Sequence, residues 1–523
     1  MKHKILSIIG AGLLILGATS CREQSDTLMN YAYNDQLTFS DAEKSYAGKF
    51  KVLWNALSQN YALWDHEKAY GLDWDAVYEK YLPQFEALDK EEGVTNGQLQ
   101  ELLTEVVGPL HDGHMVVKVK NHETNTYVAV SPSVVRNSLR PDFADAKKYP
   151  PSMTYYADKA NGEIELDENG NADYMEASTD TGDLLELFRN TNKAGMMWIK
   201  DSINVLMNLT TPTADQVVML QELNHLKDEL EKLDDSEQGI EMFNELANRY
   251  AYLKIPGFEP IDNGFYNNGV KIKFALLKGN IAYLYFSDFN ISYHLLDEAI
   301  GMAFPNASES TLAHIRKVAA VWNSWFNTIQ ELHKTGKLGG VIIDVRNNEG
   351  GAMLDFQYVI GALTPSGGFQ YGQVRYKRGP GRMDFSPLMP STIRTMEEEH
   401  AIITEPIVVL ANSNSVSMAE VTSLSTKYID NAKCIGKRTW GGLCALIGNE
   451  YFTYNYSGHI GEADKTPVYV YLPQVAQYNR EGELLEGIGI TPDIEVDLDV
   501  TLLKTTGRDS QLERALQYIR SGM

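Results

Sequence analysis

Cysteine is nearly absent from this chain of 523 residues: there are three, Cys21, Cys434 and Cys444. So sparse a set excludes a disulfide-built scaffold and offers no thiol cluster for zinc. An excess of positive charge is missing too. The 46 lysines and arginines stand against 70 acidic residues, a formal net charge of -24. That surface repels phosphate backbones and anionic lipid, so nucleic acid is disfavoured as a partner. After residue 16 no run is long and apolar enough to span a bilayer. What is present is globular in character: 43% hydrophobic and 22% charged residues. This is enough for a large core and two or three domains, and too apolar for a mostly disordered chain.

The first residues carry a different pattern. Lys2 and Lys4 precede an apolar run, Ile5 to Leu16, which is too short for a mature membrane helix; Ala18-Thr19-Ser20-Cys21 follows. The arrangement resembles a bacterial lipoprotein signal, residues 1–21, with cleavage before Cys21 and acylation of its thiol. An ordinary secretory signal with an incidental cysteine is the alternative. Multiple acyl chains on Cys21 would anchor the protein stably to a membrane, and the polar residues 22–39 would serve as a tether. The resemblance implies a cell-envelope location. Such a compartment permits Cys434 and Cys444 to pair, but two buried thiols are the preferred reading.

Four further regions follow. Residues 40–125 read as a helical N-terminal domain: Phe50, Leu53, Trp54, Leu57 and Tyr61 recur at helical spacing, and Asp73-Trp74-Asp75 has the form of a helix start. Residues 126–270 read as an inserted, mostly helical subdomain. Asn161 to Thr181 is polar loop or hairpin, and 213–253 is strongly helical with a solvated Glu/Lys face. From 271 to 500 strands and helices alternate, which predicts an α/β core. Strands are expected over 281–286, 340–345, 406–410 and 468–472. Helices are expected over 310–335 and 418–429. Residues 501–523 carry a final helix, expected from Arg508 to Ile519.

Three stretches have the residue types that chemistry needs. Ile407 to Leu410 is a buried-type strand that ends in Ala411-Asn412-Ser413-Asn414-Ser415-Val416-Ser417, and a helix begins at Met418. A serine at that junction is exposed on a tight turn, facing the N–H groups of a helix start. Serine is also an ordinary N-cap residue. Asp344-Val345-Arg346-Asn347-Asn348-Glu349-Gly350-Gly351 ends another strand in a glycine pair that lets backbone amides approach a ligand. Asp344 and Arg346 suit a structural pair that holds the turn. His111-Asp112-Gly113-His114 precedes a β-branched run, so His114 is placed at a loop-to-strand junction.

Together these stretches resemble the carboxyl-terminal-processing, or tail-specific, serine peptidases. Asp344–Gly351 resembles the D-x-R-x-N-x-G-G signature of that family, and Asn414–Glu420 its S-A-S-A-x-E segment. Gly436–Gly442 resembles the G-E-x-T-x-G turn, Asp112–His114 the D-G-H element, and Leu485–Asp493 the closing E-G-x-G-[IV]-x-P-D. The five occur in the family's order over residues 40–125 and 275–500. The resemblance implies a crotonase/ClpP-like α/β spiral core with a helical N-terminal part, and Ser417 as nucleophile. The lysine base of the bacterial processing branch is missing: its position is Gly442, and the usual glutamine four residues later is Leu446. Lys437 stands five residues earlier and is not assigned as base.

The tricorn-core-like branch fits better. It implies His114 as general base, Glu486 as its supporting carboxylate, and backbone amides of Met418 and of Gly350 or Gly351 as oxyanion donors. His111 competes with His114, and the Asp-Gly context favours the latter. In that branch a serine precedes the histidine; here it is Gly113, so another hydroxyl or a water would have to bridge to Glu486. Trp440, Tyr451 and Tyr454 are cleft or core aromatics. No metal or cofactor is implied. The expected substrate is a peptide or unfolded protein, selected without a clear PDZ-type carboxylate loop in 126–270. The alternative is a peptidase-fold protein of weak or no activity that binds peptides or apolar small molecules.

Overall fold

A computed structural model describes residues 42–148, 196–233, 237–250, 270–296, 309–444 and 459–522, apart from a few isolated positions, together with the strand Met175–Ser178. Cys21, Leu446, Tyr451 and Tyr454 lie outside the described residues, as do the signal and tether at 1–39.

The N-terminal domain is built from helices Tyr46–Asn60, Trp64–Ala69, Trp74–Leu88 and Asn96–Val107. Three of the four starts carry a side-chain cap in the sequence, Ser45, Asp73 and Thr95. Asp73 accepts from the amides of Asp75 and Ala76, and Thr95 forms a capping box with Gln98, satisfying N–H groups that a helix start leaves open. Strands β1 (Val116–Asn121) and β2 (Thr126–Val130) follow as an antiparallel hairpin with Val117 opposite Val130. The hairpin runs across the expected boundary at 125/126. The outer partner of β1 is remote in sequence, as described below.

Of the expected insert, residues 196–207 are helical, followed by helices Ala214–Leu230 and Glu237–Arg249. Ile199, Leu223, Leu226, Leu230, Phe243 and Ala247 form a core of their own. Most of Asn161 to Thr181 lies outside the described residues. Its described part, β3 (Met175–Ser178), pairs antiparallel with β4 (Ile272–Leu277) of the main sheet.

The core is α/β, as expected. Strands β5 (Ile281–Phe286), β6 (Gly340–Asp344), β9 (Ile407–Ala411), β10 (Ala432–Gly436) and β14 (Ile494–Glu495) run parallel. With β4 and β3 they make a seven-stranded mixed sheet in the order β14-β10-β9-β6-β5-β4-β3. β5, β6 and β9 are buried at every residue, which is why they read as unbroken apolar runs. Alternate residues serve opposite faces. Val341, Ile343, Ile407 and Val409 pack toward the helix Glu309–Lys334, with Trp322 and Trp325. Ile342, Val408 and Leu410 pack toward the helix Ser510–Ser521, with Leu512 and Leu516. Asp509, not Arg508, caps that last helix, and a further helix, Val500–Thr506, precedes it.

Two small sheets flank the core. β7 (Gln370–Tyr376), β8 (Met389–Thr392) and β13 (Val475–Asn479) form one, in the order β13-β7-β8. β11 (His459–Ile460) and β12 (Val468–Tyr471) join the N-terminal hairpin in the order β11-β12-β1-β2. Val468 and Val470 therefore fill the core of the N-terminal domain, not that of the α/β sheet. Cys434 and Cys444 are both free and buried. Among the described residues, no helix is long and apolar enough to cross a membrane.

Asp344 and Arg346, 0% and 2% exposed, fasten β6 to the last helix. Arg346 Nη2 lies 2.6 Å from Asp344 Oδ2, and its Nη1 lies 2.7 Å from Asp509 Oδ2; Tyr283 donates to Asp344 at 2.9 Å. The pair is structural, as its position in the turn suggests. Arg346→Ala strands two buried carboxylates, so it is expected to cost about 3–5 kcal/mol, read as a fall in the urea midpoint of the catalytic core.

Candidate active site

Because β6 and β9 are parallel neighbours, the loops that follow them leave the sheet at the same edge, where α/β sheets bind ligands. Asparagine and serine side chains then join the two loops. Asn412 Oδ1 accepts from Asn347 N at 3.0 Å, and Asn347 Oδ1 accepts from Asn412 Nδ2 and Asn414 Nδ2. Ser415 Oγ donates to Val345 O at 2.7 Å, and Val416 N donates to Asn348 O at 2.9 Å.

Ser417 closes this junction with φ 57 and ψ -117, a conformation that costs an L-residue about 1–3 kcal/mol. Gly350 packs directly on it: a Cβ at Gly350, whose φ is +89, would lie 2.5 Å from Ser417 Cβ. The two glycine amides differ in use. Gly350 N donates to Asn348 Oδ1 at 2.9 Å, so it is already engaged. The flanking Gly350 O and Ala352 N both bond Phe289, which turns the Gly351 N–H the other way. Neither Gly351 N nor Met418 N has a hydrogen-bond partner among the described residues. Of the expected oxyanion donors, Met418 and Gly351 are available and Gly350 is not.

Ser417, Met418, Gly351 and His114 line one cavity of about 590 Å³, whose opposite wall is the β13-β7-β8 sheet. His114 is held in place by its backbone: Asp112 Oδ1 accepts from His114 N at 2.8 Å and from Met115 N at 2.6 Å. His114 Nδ1 is buried with no partner among the described residues. Burial pushes the imidazole down to about 4, so it is neutral at pH 7. His111 is occupied elsewhere: its Nδ1 lies 2.9 Å from Glu67 Oε2, and its ring packs on Tyr70.

Glu486 is fully buried and bonds the backbone, not the imidazole. Its Oε1 accepts from Gly113 N at 2.7 Å, and its Oε2 accepts from Leu443 N and Cys444 N. No bridging hydroxyl could sit at position 113, because a Cβ there would lie 2.2 Å from Gly442 Cα and 2.3 Å from Gly441 O. The Gly113 and Gly441–Gly442 backbones are in contact, which leaves no room for a side chain at 113, while a Cβ at Gly442 would lie 3.3 Å from Trp440 Cδ1 and 3.4 Å from Gly113 Cα. Burial raises both nearby carboxyls, Asp112 to about 7 with further repulsion from Glu67, and Glu486 to about 8 with further repulsion from Asp112. Both Glu486 oxygens accept N–H bonds while Asp112 Oδ2 has no partner.

Glu420 stands three residues after Ser417, the spacing of a capping box, and its role was not read from the motif. Its carboxylate accepts from Ser417 N, Gly441 N, Gly442 N and Thr439 Oγ1, tying the serine turn to the glycine turn. A second set of supports comes from residues 136–142. Arg136 donates to Leu110 O and Asp112 O, Asn137 to Trp440 O, and Arg140 to Thr439 O and Arg438 O. Trp440 Nε1 donates to Gly113 O at 3.0 Å, so Trp440 braces the His114 loop. Lys437 pairs with Glu495 and Asp497 on the surface.

The sheet edge, the strained serine and the two open amides beside a neutral histidine define a serine-type peptidase. Residues 280–496 match the model of peptidase family S41. No curated protein matches the chain in sequence. Among solved structures, one from Parabacteroides merdae described as a candidate peptidase is 16% identical, with a TM-score of 0.46, covering 92% of this chain and 98% of its own. Mature CPAF is 12% identical with a TM-score of 0.43, covering 92% and 96%. The photosystem II D1 C-terminal processing protease is 18% identical with a TM-score of 0.25, covering 42% of each chain.

Gly113→Ser would restore the residue usual before the histidine, yet the backbone contact leaves it no space. It is expected to displace the His114 loop and slow labelling of Ser417 by a fluorophosphonate about 100-fold, measured as a second-order rate constant.

Proposed function

We propose that this chain hydrolyses peptide bonds with Ser417 as nucleophile, His114 as general base and then acid, and Glu486 as a positioning residue. The observation that carries the reading is that Ser417 and a neutral, half-buried His114 line the same cavity as two unengaged amides. Ser417 Oγ attacks the scissile carbonyl carbon and a C–O bond forms. The hydroxyl proton passes to His114 through Nε2, since Nδ1 is enclosed. The carbonyl π electrons move onto the oxygen, which Met418 N and Gly351 N receive. Collapse breaks the C–N bond, and His114 returns the proton to the leaving amine. Water, activated by the same imidazole, then hydrolyses the acyl ester. Glu486 acts through the Gly113 peptide, holding the loop that carries the histidine.

The proposed setting is the cell envelope, with the chain anchored through acylated Cys21 and acting on peptides or unfolded proteins. Cys21→Ala is expected to move the protein from the membrane fraction to the soluble fraction and to abolish incorporation of labelled palmitate. Continued membrane attachment of that variant would refute the anchor.

A fluorophosphonate probe is expected to label the wild-type chain and not Ser417→Ala, while His114→Gln slows labelling by about 10²–10⁴-fold. Absence of labelling in the wild type would overturn the mechanism. The pH dependence follows from burial. Since the imidazole titrates at about 4 in the fold against 6.5 when free, it is already deprotonated over most of the range. The acid limb of kcat/KM is therefore expected below pH 6.5, descending toward pH 4, and a limb at or above 6.5 would exclude His114 as the base.

A further inference from the structure

One side chain in the catalytic cavity is not used by the mechanism above. Glu349 immediately precedes Gly350 and Gly351, is exposed, and lines the same cavity as Ser417 and His114. Among the described residues it has no ion pair or hydrogen bond. Among the described residues no lysine, arginine or aspartate lines the cavity, and His114 is neutral, so Glu349 is the one acidic side chain on its described wall. Asp288, whose carboxyl is pushed up to about 6 chiefly by burial, is raised further by Glu349. Four tyrosines, Tyr293, Tyr371, Tyr376 and Tyr471, line the same space. Aromatic faces together with an uncompensated carboxylate are the chemistry that attracts a cation.

The position also has a mechanistic cost. Glu349 lies two residues from Gly351, within about 7 Å along the backbone. A bare carboxylate there repels the oxyanion that Gly351 N is placed to receive. A positive group on the substrate cancels that repulsion as the reaction proceeds. A solvated glutamate with no role would give no such dependence on substrate charge.

We infer that Glu349 is a specificity-determining residue that selects peptides carrying a cationic group, a lysine or arginine side chain or a free α-amine, next to the scissile bond. The inference rests on the Ser417 reading, so its test separates the two. The full chain is treated with two fluorophosphonates of equal length, one ending in trimethylammonium and one in a neutral tert-butyl group. In each, the Ser417 Oγ–P bond forms, fluoride leaves, and the hydroxyl proton passes to His114. The cationic probe is expected to react about tenfold faster. Glu349→Gln is expected to bring the ratio near one, slowing the cationic probe and leaving the neutral probe as fast or faster. A neutral-probe rate no lower than that of the wild type shows that the variant is folded.

Paired fluorogenic peptides then identify the source of the charge. Lysine against norleucine with a blocked N-terminus tests the side chain, and a free against an acetylated N-terminus tests the amine. Equal probe rates in the wild type, a ratio that survives Glu349→Gln, or equal slowing of both probes would overturn the inference while leaving Ser417 standing. Labelling by neither probe would overturn both.

Discussion

The parallel pairing of β6 with β9, from Val341 opposite Ile407 to Asp344 opposite Leu410, decides where everything else in the site can be. The register brings the two strand ends level, so the Gly350–Gly351 turn and the Ser417 turn emerge side by side. A slip of one residue would send Ile342 and Val408 to the wrong face of a sheet buried on both sides. The polar bonds among Asn347, Asn348, Asn412, Asn414 and Ser415 come second. They hold a geometry that apolar packing has already set, and they absorb the strain at Ser417 φ.

Three buried carboxylates then organise backbone and touch no substrate. Glu420 gathers the amides of the serine and glycine turns. Asp112 gathers those of His114 and Met115. Glu486 links the 113 and 443–444 peptides. Each exchanges the cost of burying a charge for several N–H bonds to it. The imidazole, by contrast, is left with no direct carboxylate partner and is kept neutral by its surroundings. Its orientation comes from the peptide on either side of it, which is why glycine at 113 and at 442 matters as much as the ionisable groups.

Much of this was legible in the sequence. β6 and β9 read correctly because strands buried on both faces must be apolar throughout. Ser417, the glycine pair and the structural reading of Asp344 and Arg346 followed from a motif whose spacing is fixed by the turn. What was not legible is non-local. Nothing near Val468 says that its strand pairs with β1 and not with the core sheet. Nothing near Arg136 or Arg140 points to carbonyls at 112 and 438–439. The engagement of Gly350 N was hidden for another reason: its acceptor is a side chain only two residues away, and a choice between adjacent glycines requires coordinates.

The β1–β12 pairing bears on how the protein comes into being. Gly113 and Glu486 are 373 residues apart in sequence, and β1 takes its outer partner from residues 468–471. The apolar face of the N-terminal hairpin stays open until that partner exists, and closing so long a loop costs entropy before any contact is gained. The helices of residues 46–107 can form early, but the loop carrying His114 cannot settle until nearly the whole chain has been synthesised. Assembly of the cavity that Ser417 and His114 share is thereby deferred until residues 468–486 have been made.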